Sequence, residues 1–318
     1  MRVLIVANHR HGYYAPFVKE QVDALRGLGI EIDYFPVVAK GIRGYLSLRN
    51  PLKRKIKEFR PNIIHAHYGL SCLLANLQRK VPVVSTYHGS DINVPYIRFF
   101  SKFAIQLSAY NIFVSQRNID IARPKYNYSL IPCGVNLSNF NYVDRDKARK
   151  LLGYDNSVKL VLFAGGFQNR VKNYLLAQSA VSQIEGVELL ELKGYTREQV
   201  ALLMYAVDVC LMTSFTEGSP QFIKEAMACG CPVVSVDVGD VKWLFGDISG
   251  CYIAERDAVQ CAKKIEQALL YSTINKRTNG RDRVEQLELN NEIIARKIFN
   301  VYKEIIKEKL DLPLKSEQ

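Results

Sequence analysis

The sequence predicts an α/β fold of two doubly wound, Rossmann-like domains, on three observations. The chain has 318 residues, more than the roughly 100 to 200 of a usual single core, so two domains of similar size are expected. Short β-branched runs alternate with helical patterns, the signature of βαβ units and a parallel sheet covered on both faces. The alternation pauses at a polar stretch, residues 134–146, and then restarts. With 48% hydrophobic and 23% charged residues and no low-complexity tract, disordered and fibrous classes drop out.

The first half carries strand runs at 3–7, 31–35, 63–66, 81–87, 112–114 and 129–132. The helical pattern 17–28 is closed by Gly29, a C-cap signal followed at once by a new strand. The second half repeats the scheme with strands at 159–164, 187–192, 209–212, 232–236 and 251–253, and helices near 174–183, 196–205 and 222–229. Domains are therefore expected at 1–140 and 141–290. The amphipathic tail 291–318 reads as a helix that can strap the two together. Two such sheets facing one another would leave a cleft at the carboxyl ends of their strands, where ligands of open α/β sheets bind.

Chemistry-bearing residues cluster at those strand ends. After the first strand comes ANHRHGYYAP, with His11, Tyr13 and Tyr14 on the loop. The tyrosines suit either a sugar-stacking platform or packing on their own domain. HAHYG places His65 and His67 two apart at a strand end, so both point the same way. No acid or thiol is placed nearby to complete a metal site, and lining of the cleft is the expectation. STYHGSD sets His88 beside a glycine at another strand end, with Asp91 able to cap the next helix. Asp144-Arg145-Asp146 spells DxD, but it opens a helical pattern, where acids favour the helix dipole.

The richest stretch is FTEGSPQFIKEAMACGCPVV, residues 215–234. Ser219 is a good N-cap with Pro220 at the first helical position, so a helix should start there and run through Glu225. Its first amides, near Ser219 to Phe222, form an anion site, and Gly218, Ser219, Pro220 and Gln221 are the donor-binding candidates there. Glu217 lies just before that site and Glu225 beyond the first turn. A phosphate between two hydroxyl-accepting carboxylates fits a nucleotide sugar: ribose on one side, diphosphate in the middle, sugar on the other.

This stretch resembles the E-x7-E motif of retaining GT-B glycosyltransferases of family 4. The resemblance implies a GT-B fold, a ribose-binding role for Glu225 and a donor-sugar contact for Glu217. FAGGFQNRVKN resembles the family loop whose basic residues hold the diphosphate, which points to Lys172 and Arg170. The chain departs there from the family, which more often has Arg directly after the strand's glycine. STYHGSD resembles the HGxD stretch, which implies that His88 reaches the donor sugar, and IPCGVN resembles the interdomain IPNGVD segment. The resemblance is weakest before Leu28, where many members carry a glycine pair and this chain has only Gly12. His11, Tyr13, Tyr14, His67 and Asp91 are the acceptor-side candidates, and the acceptor itself stays open.

A formal charge of +12 implies an anionic partner. Eight of the residues from Lys40 to Arg60 are basic against the single acid Glu58. They lack the interleaved aromatics of a strand-stacking surface, so no nucleic acid is expected. With the amphipathic segment Pro95–Leu107 they suit an anionic membrane surface instead. The apolar run at the amino terminus is too short for a signal sequence and no segment approaches a membrane span, so a cytoplasmic location at or near the inner membrane face is expected. The seven cysteines are odd in number and set among apolar residues, as reduced structural thiols would be. CxC at Cys229 and Cys231 lacks zinc or redox spacing.

The expectation is a retaining, metal-independent hexosyl- or N-acetylhexosaminyl-transferase using a UDP- or GDP-linked sugar and a glycan or lipid-linked acceptor. Bacterial surface polysaccharide synthesis is the expected setting. A GT-B nucleotide-sugar epimerase and a non-catalytic basic binding protein are the rivals. A nicotinamide enzyme is disfavoured because no GxGxxG opens either half.

Overall fold

The structure is a computed structural model that describes residues 1–9, 12–39 and 41–311. It forms two compact units, Met1–Gly134 with the carboxyl-terminal segment from Asn291, and Val135–Asn290.

The first unit is built on six parallel strands: β1 Arg2–Asn8, β2 Glu31–Val37, β3 Ile63–His67, β4 Val83–Tyr87, β5 Tyr110–Phe113 and β6 Tyr128–Leu130. Their order is β2-β1-β3-β4-β5-β6. Successive side chains leave opposite faces of a strand. Val3, Ile5, Ile63, Val84 and Ile112 accordingly fill one core, while Leu4, Val6, Ile64, Val83 and Phe113 fill the other. The long helix Asn291–Asp311 belongs to this unit. Its residues Ile294, Ala295, Ile298, Val301, Tyr302 and Ile305 recur at helical spacing and are all buried in the first of these cores.

The second unit holds β7 Lys159–Phe163, β8 Val187–Glu191, β9 Val209–Met212, β10 Val233–Val236 and β11 Cys251–Ala254. These are parallel, in the order β11-β10-β9-β7-β8. Leu160, Leu162, Cys210 and Met212 face one core, and Val161, Phe163, Val209 and Leu211 the other. Each sequence-predicted strand run thus forms a strand. Edges differ by one or two residues where proline ends hydrogen bonding, as at Pro82 and Pro132.

In each sheet the chain reverses its direction of travel once, beside β1 and β3 in the first and beside β7 and β9 in the second. Loops at the carboxyl ends of such a pair part to opposite faces and leave a crevice. No helix among the described residues is long and apolar enough to cross a membrane.

Candidate active site

In the second unit the loops after β7 and β9 meet at the crevice. The first contains a short 3-10 turn, Arg170–Lys172, capped by the Asn169 side chain. It is tied to the second by Phe215 N–H donating to Val171 O at 2.9 Å, and by the Thr213 hydroxyl at 2.9 Å from Lys172 O. Gly165 lies at φ +149°, and a β-carbon there would come within 3.2 Å of Lys172 Cγ. The glycine therefore lets the lysine lie across the backbone. Lys172 Nζ donates to Glu217 Oε1 at 2.6 Å, an ion pair with both side chains mostly buried. Arg170 is exposed on the same turn.

Beyond Glu217 the chain turns through Gly218, Ser219 and Pro220 into the helix Gln221–Ala228. The sequence places the N-cap at Ser219, but Pro220, with ψ 120°, is still extended and is itself the cap. Ser219 sits one residue too early to bond the first helical amides. Its buried hydroxyl makes no hydrogen bond, and the first turn's N–H groups have no intrahelical acceptors. Every residue of this helix after Gln221 is buried, including Lys224 and Glu225. Glu225 Oε1 accepts from Arg197 Nη2 at 2.8 Å, and the Arg197 guanidinium lies 5.4 Å from the Phe140 ring centre. Arg197 opens the helix Arg197–Ala206, whose start is fixed by a Thr196 and Gln199 capping box. Sequence reasoning passed over Arg197, because a charge at an N1 position looks like surface.

Asp240, after β10, closes the same corner. A β-carbon on Gly239 would meet Gly218 O at 2.5 Å, so the two loops touch only because that residue is glycine. Burial pushes the Asp240 carboxyl up to about 6, opposed by the nearby Lys224 charge. The Ser219 hydroxyl lies close to it but not in hydrogen-bonding geometry.

The first unit presents a second cluster at the ends of β3 and β4. His67 is fully buried. Its Nδ1 lies 3.0 Å from His88 Nε2. His65, also fully buried, has Nδ1 2.5 Å from Tyr302 Oη and Nε2 2.7 Å from Thr86 Oγ1. Its ring stacks on that of His67 at 4.4 Å. Burial pushes His67 down to about 3. His65 is held well below its usual range by burial, then by the His67 and His88 imidazoles.

His88 is half-buried, packed between Phe17 and Tyr68 with ring centres at 4.9 and 4.7 Å. Its Nδ1 lies 3.5 Å from Cys133 Sγ, so Cys133 of IPCGVN touches the cluster. Asp91 is buried. It accepts from the amides of His88, Gly89 and Gly69, at 3.0, 2.8 and 3.2 Å. It thereby fixes the turn carrying His88 to the start of the helix Gly69–Asn76.

His11 is outside the described residues. Tyr13 is 62% exposed, whereas Tyr14 stacks on Tyr34 at 4.5 Å within its own unit. The DxD acid Asp144 is a helix cap, accepting from the amides of Asp146 and Lys147.

Comparison with known proteins bears on the fold and the enzyme class. The family model of Glycosyltransferase Family 4 matches residues 2–139, and that of Glycosyl transferases group 1 matches residues 146–270. TuaC of Bacillus subtilis, named for teichuronic acid biosynthesis, is 25% identical over 78% of this chain and 73% of its own. A D-inositol 3-phosphate glycosyltransferase of Mycobacterium marinum is 26% identical over 65% of this chain, which spans only 55% of that relative. Among solved structures, sucrose-phosphate synthase from Thermosynechococcus elongatus superposes with TM-score 0.83 at 20% identity, covering 96% of this chain and 99% of that one. Anabaena HepE in complex with UDP gives 0.72 at 16% identity over 96% and 100%. With two parallel α/β units, each matched by a glycosyltransferase family model, the chain is a glycosyltransferase with the GT-B fold.

Proposed function

We propose that the chain is a retaining glycosyltransferase that moves a hexosyl or N-acetylhexosaminyl group from a nucleotide sugar to a glycan or lipid-linked glycan in surface polysaccharide assembly. The observation that carries it is the pair Glu217 and Glu225 on either side of one helix start, each already paired with a cation from another segment. UDP bound by HepE supports a UDP-linked donor. The name of TuaC supports a polysaccharide acceptor.

In this reading Glu225 accepts the ribose hydroxyls and Arg197 holds its carboxylate in place. The diphosphate lies over the amides around Gly218, Ser219, Pro220 and Gln221. Lys172, which keeps two donor hydrogens beyond the one given to Glu217, bridges that carboxylate and the phosphate. Arg170 adds a second cation from solvent. Glu217 and His88 contact the sugar. The bond from C1 to the diphosphate oxygen breaks, a bond from C1 to the acceptor oxygen forms on the same face, and the acceptor proton passes to the departing diphosphate. Fixed cations and amides stabilise the charge that develops there, so no metal is required, and full activity in EDTA is expected. The basic surface and the exposed aromatic residues of Pro95–Leu107 are proposed to rest on an anionic membrane.

Replacing Glu225 with Ala should weaken UDP binding by about 10-fold or more, the loss of charge-assisted hydrogen bonds. Replacing Glu217 with Ala should mainly lower kcat, as expected for a contact strengthened in the transition state. Wild-type behaviour of both variants would sink the assignment. Incubation with donor alone separates transfer from epimerisation, which needs no acceptor.

A further inference from the structure

Two protons in the histidine cluster can be placed by counting partners. His67 is fully buried, and its Nε2 has no hydrogen-bond partner. A neutral imidazole carries one N–H. A buried N–H without an acceptor is rarer and costlier than a buried lone pair without a donor. The proton of His67 therefore sits on Nδ1, which faces His88 Nε2 at 3.0 Å. His65 closes the other side, stacked on His67 at 4.4 Å with both of its own nitrogens already bonded, to Tyr302 and Thr86.

We propose that His67 is a positioning residue that donates its Nδ1–H to His88 Nε2, so that His88 stands as the Nδ1–H tautomer and gives a hydrogen bond to the bound sugar. Burial independently keeps His67 uncharged near neutral pH. With Nε2 of His88 accepting, its proton lies on Nδ1, 3.5 Å from Cys133 Sγ. A thiol sulfur is a weak acceptor, and a sugar oxygen is a stronger one that displaces it. The turn itself is held by Asp91 through the amides of His88 and Gly89, so ring direction and proton position are fixed by separate partners. His88 consequently acts as a neutral donor and not as a base toward the ligand.

This inference rests on the placement of His88 at the transfer site, and its test separates the two. The chain has five histidines, few enough to assign in full-length protein labelled with nitrogen-15 at histidine. Long-range proton–nitrogen spectra, with and without UDP, should show His88 as the Nδ1–H tautomer in wild type and in His67→Asn, whose side-chain amide can replace the donor. In His67→Phe, which keeps the ring and removes the donor, the signal should move toward the Nε2–H form. In the same variant kcat should fall about 10- to 100-fold, the rate equivalent of one buried hydrogen bond, with the donor KM little changed. His67→Asn should recover most of that loss. An Nε2–H tautomer in wild type, or equal loss of kcat in His67→Asn and His67→Phe, would overturn the inference. A fully active His88→Ala would instead remove the reading beneath it and leave the tautomer result standing.

Discussion

Lys224 and Glu225 are adjacent charges on a helix whose residues after the first are all buried, a position charged residues occupy only when something compensates them. Arg197 does so for Glu225. The first unit makes the opposite choice with histidine, keeping His65 and His67 neutral inside the core. The sign of the pH effect follows. The folded His67 value of about 3 lies below the unfolded 6.5, so its contribution is complete above pH 6.5 and is lost as pH falls toward 3. At pH 5 that loss is about 2 kcal/mol for His67, and His65, lowered by the same burial, acts in the same direction. Asp91, raised to about 6, works the other way. Its contribution is present below about pH 4 and lost as pH rises through 6, returning about 1 kcal/mol between pH 7 and 5. The His67 loss exceeds the Asp91 return, so a net loss is left. Hydrogen exchange of the β1 and β3 amides should therefore report a less stable first unit at pH 5 than at pH 7, with a smaller difference in His67→Asn. An equal difference in both proteins would contradict the burial argument.

At the scale of elements, the strands were legible because buried parallel strands are written as continuous β-branched runs, as in Val3 to Ala7 and Val233 to Val236. The helix start at Ser219 was misread by one residue, since the ψ of Pro220 is set by the turn and not by composition. Glu217, Glu225, Lys172 and His88 were singled out because each lies in a short stretch that resembles a family motif. The pairings with Arg197 and between His65 and Tyr302, 237 residues apart, could not, because only folding brings those segments together.

Helix Pro95–Leu107 shows the same limit. Its buried face is Ser101 and Ala104, so Phe99 and Phe103 are left 57% and 46% exposed, touching one another at 5.3 Å. On the same unit, the helix Arg49–Phe59 exposes Arg49, Lys53, Arg54 and Lys57, while Lys55 is paired with Asp33 at 2.5 Å. Such a surface should co-sediment with anionic liposomes at low salt. Replacing Lys53, Arg54 and Lys57 with Ala should cost about 1 kcal/mol each in membrane affinity, and Phe99→Ser with Phe103→Ser should weaken binding at every salt concentration. Liposome binding untouched by either set would place any membrane contact elsewhere.

For the whole molecule, the consequence is a division of labour between units with separate sheets and cores. The groups proposed to hold the nucleotide, Lys172, Arg197, Glu225 and the Gly218 to Gln221 turn, all belong to the second unit. His67 and His88 belong to the first. A ligand that touches only one unit raises the opening free energy of that unit alone, by RT ln(1 + [L]/Kd), or about 2.7 kcal/mol at 100 times Kd. UDP lacks the sugar. Hydrogen exchange with saturating UDP should therefore slow in the loops 164–173 and 213–222 and around residue 197, by up to about 100-fold where exchange requires release of the ligand. Segments 63–67 and 86–91 should keep their unliganded rates. The intact nucleotide sugar should add protection at 86–91 if His88 contacts the sugar as proposed. Protection by UDP confined to 63–67 and 86–91 would reverse the assignment of the two units. Protection by UDP in neither unit would remove the nucleotide from the chemistry altogether.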